Sequence, residues 1–204
     1  LGIILWMAVW WISEVVPIAV TALIPIILFP STNVLNIQET GSNYGHKYIF
    51  LFIGGFILAN AIQKWNLHKR IALNIILRLG GSNDKIILGF MLATGFLSMW
   101  ISNTATTLML LPIASAIVIH KKQIAAPVLM AIAYGASIGG MATPIGTPPN
   151  VILMGMYKES MGKEVAFLTW MLWVLPIVIT FLPLVWLWLC RGMKNEVEQK
   201  SIEL

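Results

Sequence analysis

Residues 98–107 read SMWISNTATT. From Ser102 to Thr107 every residue is small, and all but Ala105 are polar. The run lies within a stretch that carries no charge from Ile86 to Ile119. Its flanks, IILGFMLATGFLSMWI (86–101) and ATTLMLLPIASAIVI (105–119), have the composition of membrane helix. At 1.5 Å per residue each flank reaches roughly 22–24 Å, short of a bilayer core of about 30 Å. Lys85 precedes the stretch and Lys121 follows it, and both belong to the more basic side of the chain. The chain therefore leaves and returns on one side. Two full crossings would satisfy that parity, but the lengths favour a re-entrant hairpin over 86–119. Its polar tip then stops inside the membrane, where non-helical backbone persists only in contact with protein or a watery cavity.

The rest of the composition agrees with a membrane setting. The chain has 204 residues, 58% hydrophobic and 10% charged, with a mean hydropathy of +0.85. A soluble domain could not hide that much apolar surface. Five long uncharged stretches occur, at 15–38, 48–63, 86–119, 123–157 and 165–190. They lack the alternation of strands, so the fold class is an all-α polytopic membrane protein. The single cysteine, Cys190, excludes an internal disulfide and a Cys-rich metal site. All 13 Lys and Arg residues except Lys47, Lys158 and Lys163 fall on one side of this topology. That bias makes the loops 64–85 and 121–122 and the C-terminal tail cytoplasmic. The positive charge is thus a topology signal, not a nucleic-acid patch. No signal peptide is recognisable. The chain starts within an apolar run without Met or a flanking charge, so a truncated natural N-terminus is expected.

Two further features bear on organisation. Around Ser13, Glu14 and Pro17 the first apolar run either kinks or turns. A turn between helices at 1–12 and 14–29 is preferred, because Pro17 disrupts a helix and Glu14 is costly at mid-bilayer. Residues 29–47 read as a polar loop, and 48–63 as a helix whose Gly54–Gly55 pair permits close packing. KWNLHKRIALNIILRLGG (64–81) separates basic from apolar faces and reads as an interfacial amphipathic helix stopped by Gly80–Gly81. His68 within it is expected at the interface, not as a metal ligand. KESMGKE (158–164) reads as an external loop.

A second interruption lies at 135–152, GASIGGMATPIGTPPNVI. Gly139, Gly140, Pro144, Gly146, Pro148 and Pro149 cannot all occupy a regular helix. Segment 123–157 is therefore a broken helix with an unwound centre. Thr143, Thr147 and Asn150 supply side-chain oxygens, and the unwound backbone supplies carbonyls and N–H groups. Paired discontinuities at mid-membrane point to a transporter binding site. Helix N-termini suit an anion, and carbonyl, Ser and Asn oxygens suit a hard monovalent cation. Neither interruption contains Asp or Glu, which disfavours a carboxylate-ligated divalent cation. No nucleophile–base pair, HExxH motif or phosphate loop appears, so an enzyme is not expected.

WNLHKRIAL (65–73), GFLSMWISNTATT (95–107), ASIGGMATPIGTPPNVI (136–152) and WWISEVVPIAVTALIPIILFP (10–30) resemble the divalent anion:sodium symporter family, which transports dicarboxylates, citrate and sulfate. The resemblance runs over essentially the whole chain. It implies an elevator-type transporter of two inverted repeats, each with a re-entrant hairpin and a broken helix, working as a homodimer in the plasma or bacterial inner membrane. It implies a sodium ion near Ser98, Ser102, Asn103 and Gly146. It also implies a substrate carboxylate at Ser102, Asn103 and Thr104 with Thr147 close by, and leaves Thr143, Pro148 and Asn150 as further candidates. Residues 1–81 would then be scaffold plus the amphipathic helix. Residues 82–204 would be half a transport domain: the hairpin, the broken helix, a helix at 165–190 and a tail.

The chain departs from the family in holding a single Ser-Asn-Thr motif, so it is expected to be about half of a transporter. The resemblance makes sodium-coupled divalent-anion transport the leading expectation. A sodium-independent exchanger of the same fold, a channel-like pore and a non-transporting partner subunit are the alternatives.

Overall fold

A computed structural model describes residues 1–79 and 81–202, with side chains through Arg191. The chain divides into two compact units, 1–51 and 52 onward.

In the first unit, α1 (Gly2–Ser13) ends where Glu14 adopts a left-handed conformation. Glu14 is exposed, and Pro17 caps the next helix. The turn preferred over a kink is therefore present. The helix expected at 14–29 is instead two pieces, α2 (Ile18–Thr21) and α3 (Ile24–Ser31). Pro25 explains the restart, because it lacks an N–H and is favoured in a first helical turn.

The polar loop expected at 29–47 also needs correction, because it contains α4 (Ile37–Tyr44). Asn36 and Glu39 close a reciprocal capping box, with Glu39 N–H donating to Asn36 Oδ1 at 2.7 Å and Asn36 N–H donating to Glu39 Oε2 at 3.2 Å. Tyr44 Oη donates to the Ala22 carbonyl at 2.6 Å and so ties α4 to the α2–α3 turn.

The second unit begins within α5 (Lys47–Lys64) and continues with α6 (Leu67–Leu79). Of the two glycines that should stop α6, Gly80 lies outside the described residues. Within α6, His68, Ala72 and Ile76 recur every four residues and are buried. His68 is thus buried among the helices of this unit. Its Nδ1 lies 3.4 Å from the Ile62 carbonyl. The stripe packs on α7 (Asn83–Ser98), where a Cβ on Gly89 would come within 3.1 Å of Ile76 Cα.

A turn at 99–102 leads into α8 (Asn103–Val118). A short 3₁₀ turn precedes α9 (Ala125–Gly140), and residues 141–147 are irregular. Then come α10 (Pro148–Met161) and α11 (Phe167–Ile202). KESMGKE is accordingly part helix: α10 continues to Met161 and ends on left-handed Gly162.

Phe90, Met91, Leu97, Leu110, Val128 and Ile132 are core residues of this unit, in which α7, α8 and α9 pack together. Gly135 and Gly139, one turn apart on α9, set the closest approach. A Cβ on Gly135 would lie 2.7 Å from the Met91 carbonyl oxygen, and one on Gly139 would collide with the Gly95 backbone. These two glycines are helix-packing residues of the small-xxx-small kind, and not part of the unwound break as expected. A Cβ on Gly54 would meet nothing within 4 Å among the described residues, whereas one on Gly55 would touch the Ile145 side chain at 3.5 Å.

Segments Ile37–Lys64, Lys122–Gly140 and Phe167–Arg191 are long and apolar enough to cross a membrane. Helices α7 and α8, at 16 residues each, are shorter.

Candidate functional site

The turn at 99–102 and the break at 141–147 meet. Ser98, the last residue of α7, is fully buried, and its hydroxyl donates to Asn103 Oδ1 at 2.6 Å. Asn103 is the first residue of α8 and half-buried. It packs so closely on Gly140, the last residue of α9, that a Cβ on Gly140 would collide with its side-chain oxygen. Gly146 closes the arrangement from the break. A Cβ there would collide with the Gly140 carbonyl and lie 2.9 Å from the Ser98 carbonyl oxygen. Two carbonyl oxygens, of Ser98 and Gly140, therefore converge on Gly146, and the Ser98 hydroxyl and the Asn103 amide oxygen meet each other beside Gly140. Both carbonyls lie at helix C-termini, which carry partial negative charge.

The break is held by side chains that bond its backbone. Asn150 is buried and donates from Nδ2 to the carbonyls of Gly140 at 2.9 Å and Thr143 at 2.8 Å. Thr143 Oγ1 donates to the Met99 carbonyl at 2.5 Å and accepts from Gly146 N–H at 3.1 Å, so it ties the break to the turn. Trp170 of α11 donates from Nε1 to the Met141 carbonyl at 2.9 Å. Unwound backbone away from water needs such partners, and these three residues supply them. The donors of Thr143 and Asn150 are thus engaged with backbone.

The remaining site candidates lie at helix starts. Ser102 is the N-cap of α8 and accepts from Ala105 N–H at 3.3 Å. Thr104 is exposed on the first turn. Thr147 is the half-buried N-cap of α10, and Pro148 is exposed beside it. Neither Thr104 nor Thr147 makes a side-chain hydrogen bond among the described residues, so none ties either one to Ser98 or Asn103. The two helix starts also differ chemically. Pro148 and Pro149 deprive α10 of its first N–H groups, whereas α8 keeps those of Asn103 and Thr104. Among the described residues no group of three or more His, Cys, Asp or Glu could hold a metal ion.

Trp170 is the residue that the sequence reading did not single out for this role. It is one of nine tryptophans in the chain. Nothing local to FLTWML signals a bond to a carbonyl twenty-nine positions earlier.

The sequence matches the citrate transporter family over residues 8–202. It is 47% identical over 202 residues to the sodium-dependent dicarboxylate transporter SdcS of Staphylococcus saprophyticus, covering 93% of this chain and 39% of that protein. The transporter of the same name from Staphylococcus aureus is 48% identical over the same length, again covering 93% of this chain and 39% of the relative. The chain thus spans about two fifths of the length of these relatives. Membership in a transporter family argues against an enzyme. The chain belongs to the citrate transporter family and is homologous along most of its length to sodium-dependent dicarboxylate transporters.

Proposed function

We propose that this chain carries the first half of the binding site of a sodium-coupled carrier for a divalent anion. A C4-dicarboxylate or citrate is the preferred substrate, and sulfate has the right charge. The observation that carries the reading is the opposite polarity of two adjoining places that share Asn103. On one side, the α7 and α9 C-termini bring the Ser98 and Gly140 carbonyls to Gly146. On the other, α8 begins at Asn103 with unpaired N–H groups.

The first place suits sodium, a hard cation satisfied by neutral oxygens and carried as cargo. Ser98, Asn103 and the backbone at Gly146 would ligate it, with Ser102 alongside. The second place suits one carboxylate of the anion, held by Asn103, Thr104 and the Ser102 cap, with Thr147 completing the edge. Because Asn103 serves both, the ion orients the amide that the anion needs. Occupancy of one site then favours the other, and the favour is mutual. Thr143, Asn150 and Pro148 hold the break in register. The relatives named for sodium-dependent dicarboxylate transport support both cargoes.

The reading extends to the membrane. Helices α7 and α8 form a re-entrant hairpin whose tip stops at mid-membrane. In support, Lys121 reaches back from beyond α8 to the Gly81 carbonyl at 2.8 Å and to Asn83 Oδ1 at 3.3 Å, so both ends of the segment lie together. The basic loops 64–85 and 121–122 face the cytoplasm. Residues 1–81 serve as scaffold and 82–204 as half of a mobile transport domain. A second repeat supplies the other half of the anion site, within a homodimer.

The test is uptake by the full-length protein in liposomes, comparing labelled succinate, citrate and sulfate with and without a sodium gradient. Uptake of one anion that collapses without sodium supports the reading. Anion exchange indifferent to sodium assigns the sodium-independent alternative, and flux without counter-flow assigns a pore.

A further inference from the structure

The second unit has an apolar groove away from the Ser98–Asn103 pair. Its inner part, of about 300 Å³, lies between Leu58 and Ile62 of α5, Phe96 and Leu97 at the end of α7, and Trp100 and Ile101 in the turn that follows. A second cavity of about 370 Å³ shares Leu58 and Ile62 and continues past Ala61 to Trp65, Leu67 and Arg70. Leu58 and Ile62, one helical turn apart on α5, line both parts, and Ala61 with Trp65 just past the helix end extends that wall along the second part. At 1.5 Å per residue that wall is about 10 Å long.

The two ends differ in chemistry. The inner end has no charged side chain. The outer end has Arg70, with Lys64 and Lys69 as neighbours in sequence, and all three are exposed. Among the described residues no carboxylate pairs with any of them. Trp65, 76% exposed, stands at the junction. An exposed tryptophan beside basic residues at the end of an apolar helix marks the headgroup level of a bilayer.

We propose that this groove binds an anionic phospholipid, with one acyl chain along Leu58 and Ile62 toward Trp100 and the phosphate at Arg70. A small dicarboxylate matches the cationic end but not the apolar one. A zwitterionic lipid fits the apolar end, but its headgroup carries no net charge to meet three cations. The amphiphile that satisfies both ends has an alkyl tail and a net negative head. Basic residues at a membrane surface favour anionic lipid by about fivefold each.

The test uses the full-length protein in detergent and native mass spectrometry, titrated with dioleoyl phosphatidylglycerol or dioleoyl phosphatidylcholine. The wild type retains phosphatidylglycerol more tightly than phosphatidylcholine. Arg70→Gln reduces the preference about fivefold. Adding Lys64→Gln and Lys69→Gln abolishes it, and Lys122→Gln leaves it intact. Ile62→Trp narrows the groove and lowers retention of both lipids. Equal retention of the two lipids by the wild type, or a preference that survives the triple substitution, overturns the proposal. Should the variants fail to fold, a photoactivatable phosphatidylglycerol on the wild type decides. Labelling within 58–71 supports the site. Labelling only elsewhere, as when another protein segment fills the groove, overturns it.

Discussion

Ser98 Oγ donates to Asn103 Oδ1 at 2.6 Å across the turn between α7 and α8. This bond fixes the amide so that its oxygen lies against Gly140 and its nitrogen remains available on the same side chain. An amide held in one orientation presents an acceptor to a cation and a donor to an anion.

Ser98→Ala removes the buried hydroxyl and frees the amide to rotate. A hydrogen bond between neutral groups contributes about 0.5–1.5 kcal/mol. The sodium concentration for half-maximal uptake should rise about two- to tenfold, while the folded yield stays near wild type. Uptake against sodium concentration in liposomes measures this. An unchanged sodium curve would remove Ser98 from the ion site.

Gly146→Val places a side chain where the Gly140 and Ser98 carbonyls converge. Transport should be lost. Overpacking costs about 1–3 kcal/mol, so the melting temperature should also fall. Gly146→Ala should lie between the two. Wild-type uptake in the valine variant would show that the carbonyls do not need to approach this closely.

Gly139→Ala and Gly54→Ala form a contrasting pair. A Cβ on Gly139 collides with the Gly95 backbone, whereas one on Gly54 meets nothing within 4 Å. The first should destabilise by about 1–3 kcal/mol through separation of α7 and α9. The second should be neutral or stabilise by up to about 1 kcal/mol through helix propensity. Thermal unfolding in detergent compares them, and equal melting temperatures would contradict the packing described for α9.

Asn150→Leu leaves the Gly140 and Thr143 carbonyls without the amide donor that both now use. The Thr143 carbonyl keeps the Gly146 N–H at 3.3 Å, but the Gly140 carbonyl loses its side-chain donor, at a cost of about 1–3 kcal/mol. Stability should therefore fall, and sodium affinity with it, because the Gly140 carbonyl belongs to the oxygen cluster. Trp170→Phe, which removes only the bond to Met141, should act in the same direction but less. A variant with wild-type stability would show that the break holds itself open without Asn150.

Much of this arrangement is written in local chemistry. Small polar residues between uncharged flanks mark the turn at 99–102, and three prolines near Gly146 mark the break. What local chemistry does not reveal is who answers the unwound carbonyls, since Thr143 reaches Met99 and Trp170 reaches Met141 only once the helices have packed. Gly139 was misplaced for a related reason. Its helix continues because Gly95 offers it backbone contact, and that partner is forty-four residues away in sequence. The capping box of α4 was legible, as Asn36 and Glu39 have the required spacing, but the low hydropathy around them suggested a loop. His68 lies in a basic segment, yet its register with Ala72 and Ile76 buries it.

The most direct test of the shared site is equilibrium binding of sodium and of a dicarboxylate to the purified full-length protein, before and after Asn103→Ala. Asn103 is the residue whose side-chain amide is assigned to both cargoes, with Ser102 flanking each. The account predicts that the variant remains folded, that sodium affinity falls about tenfold or more, and that sodium no longer enhances anion binding. Unchanged sodium affinity with normal coupling to the anion would contradict it.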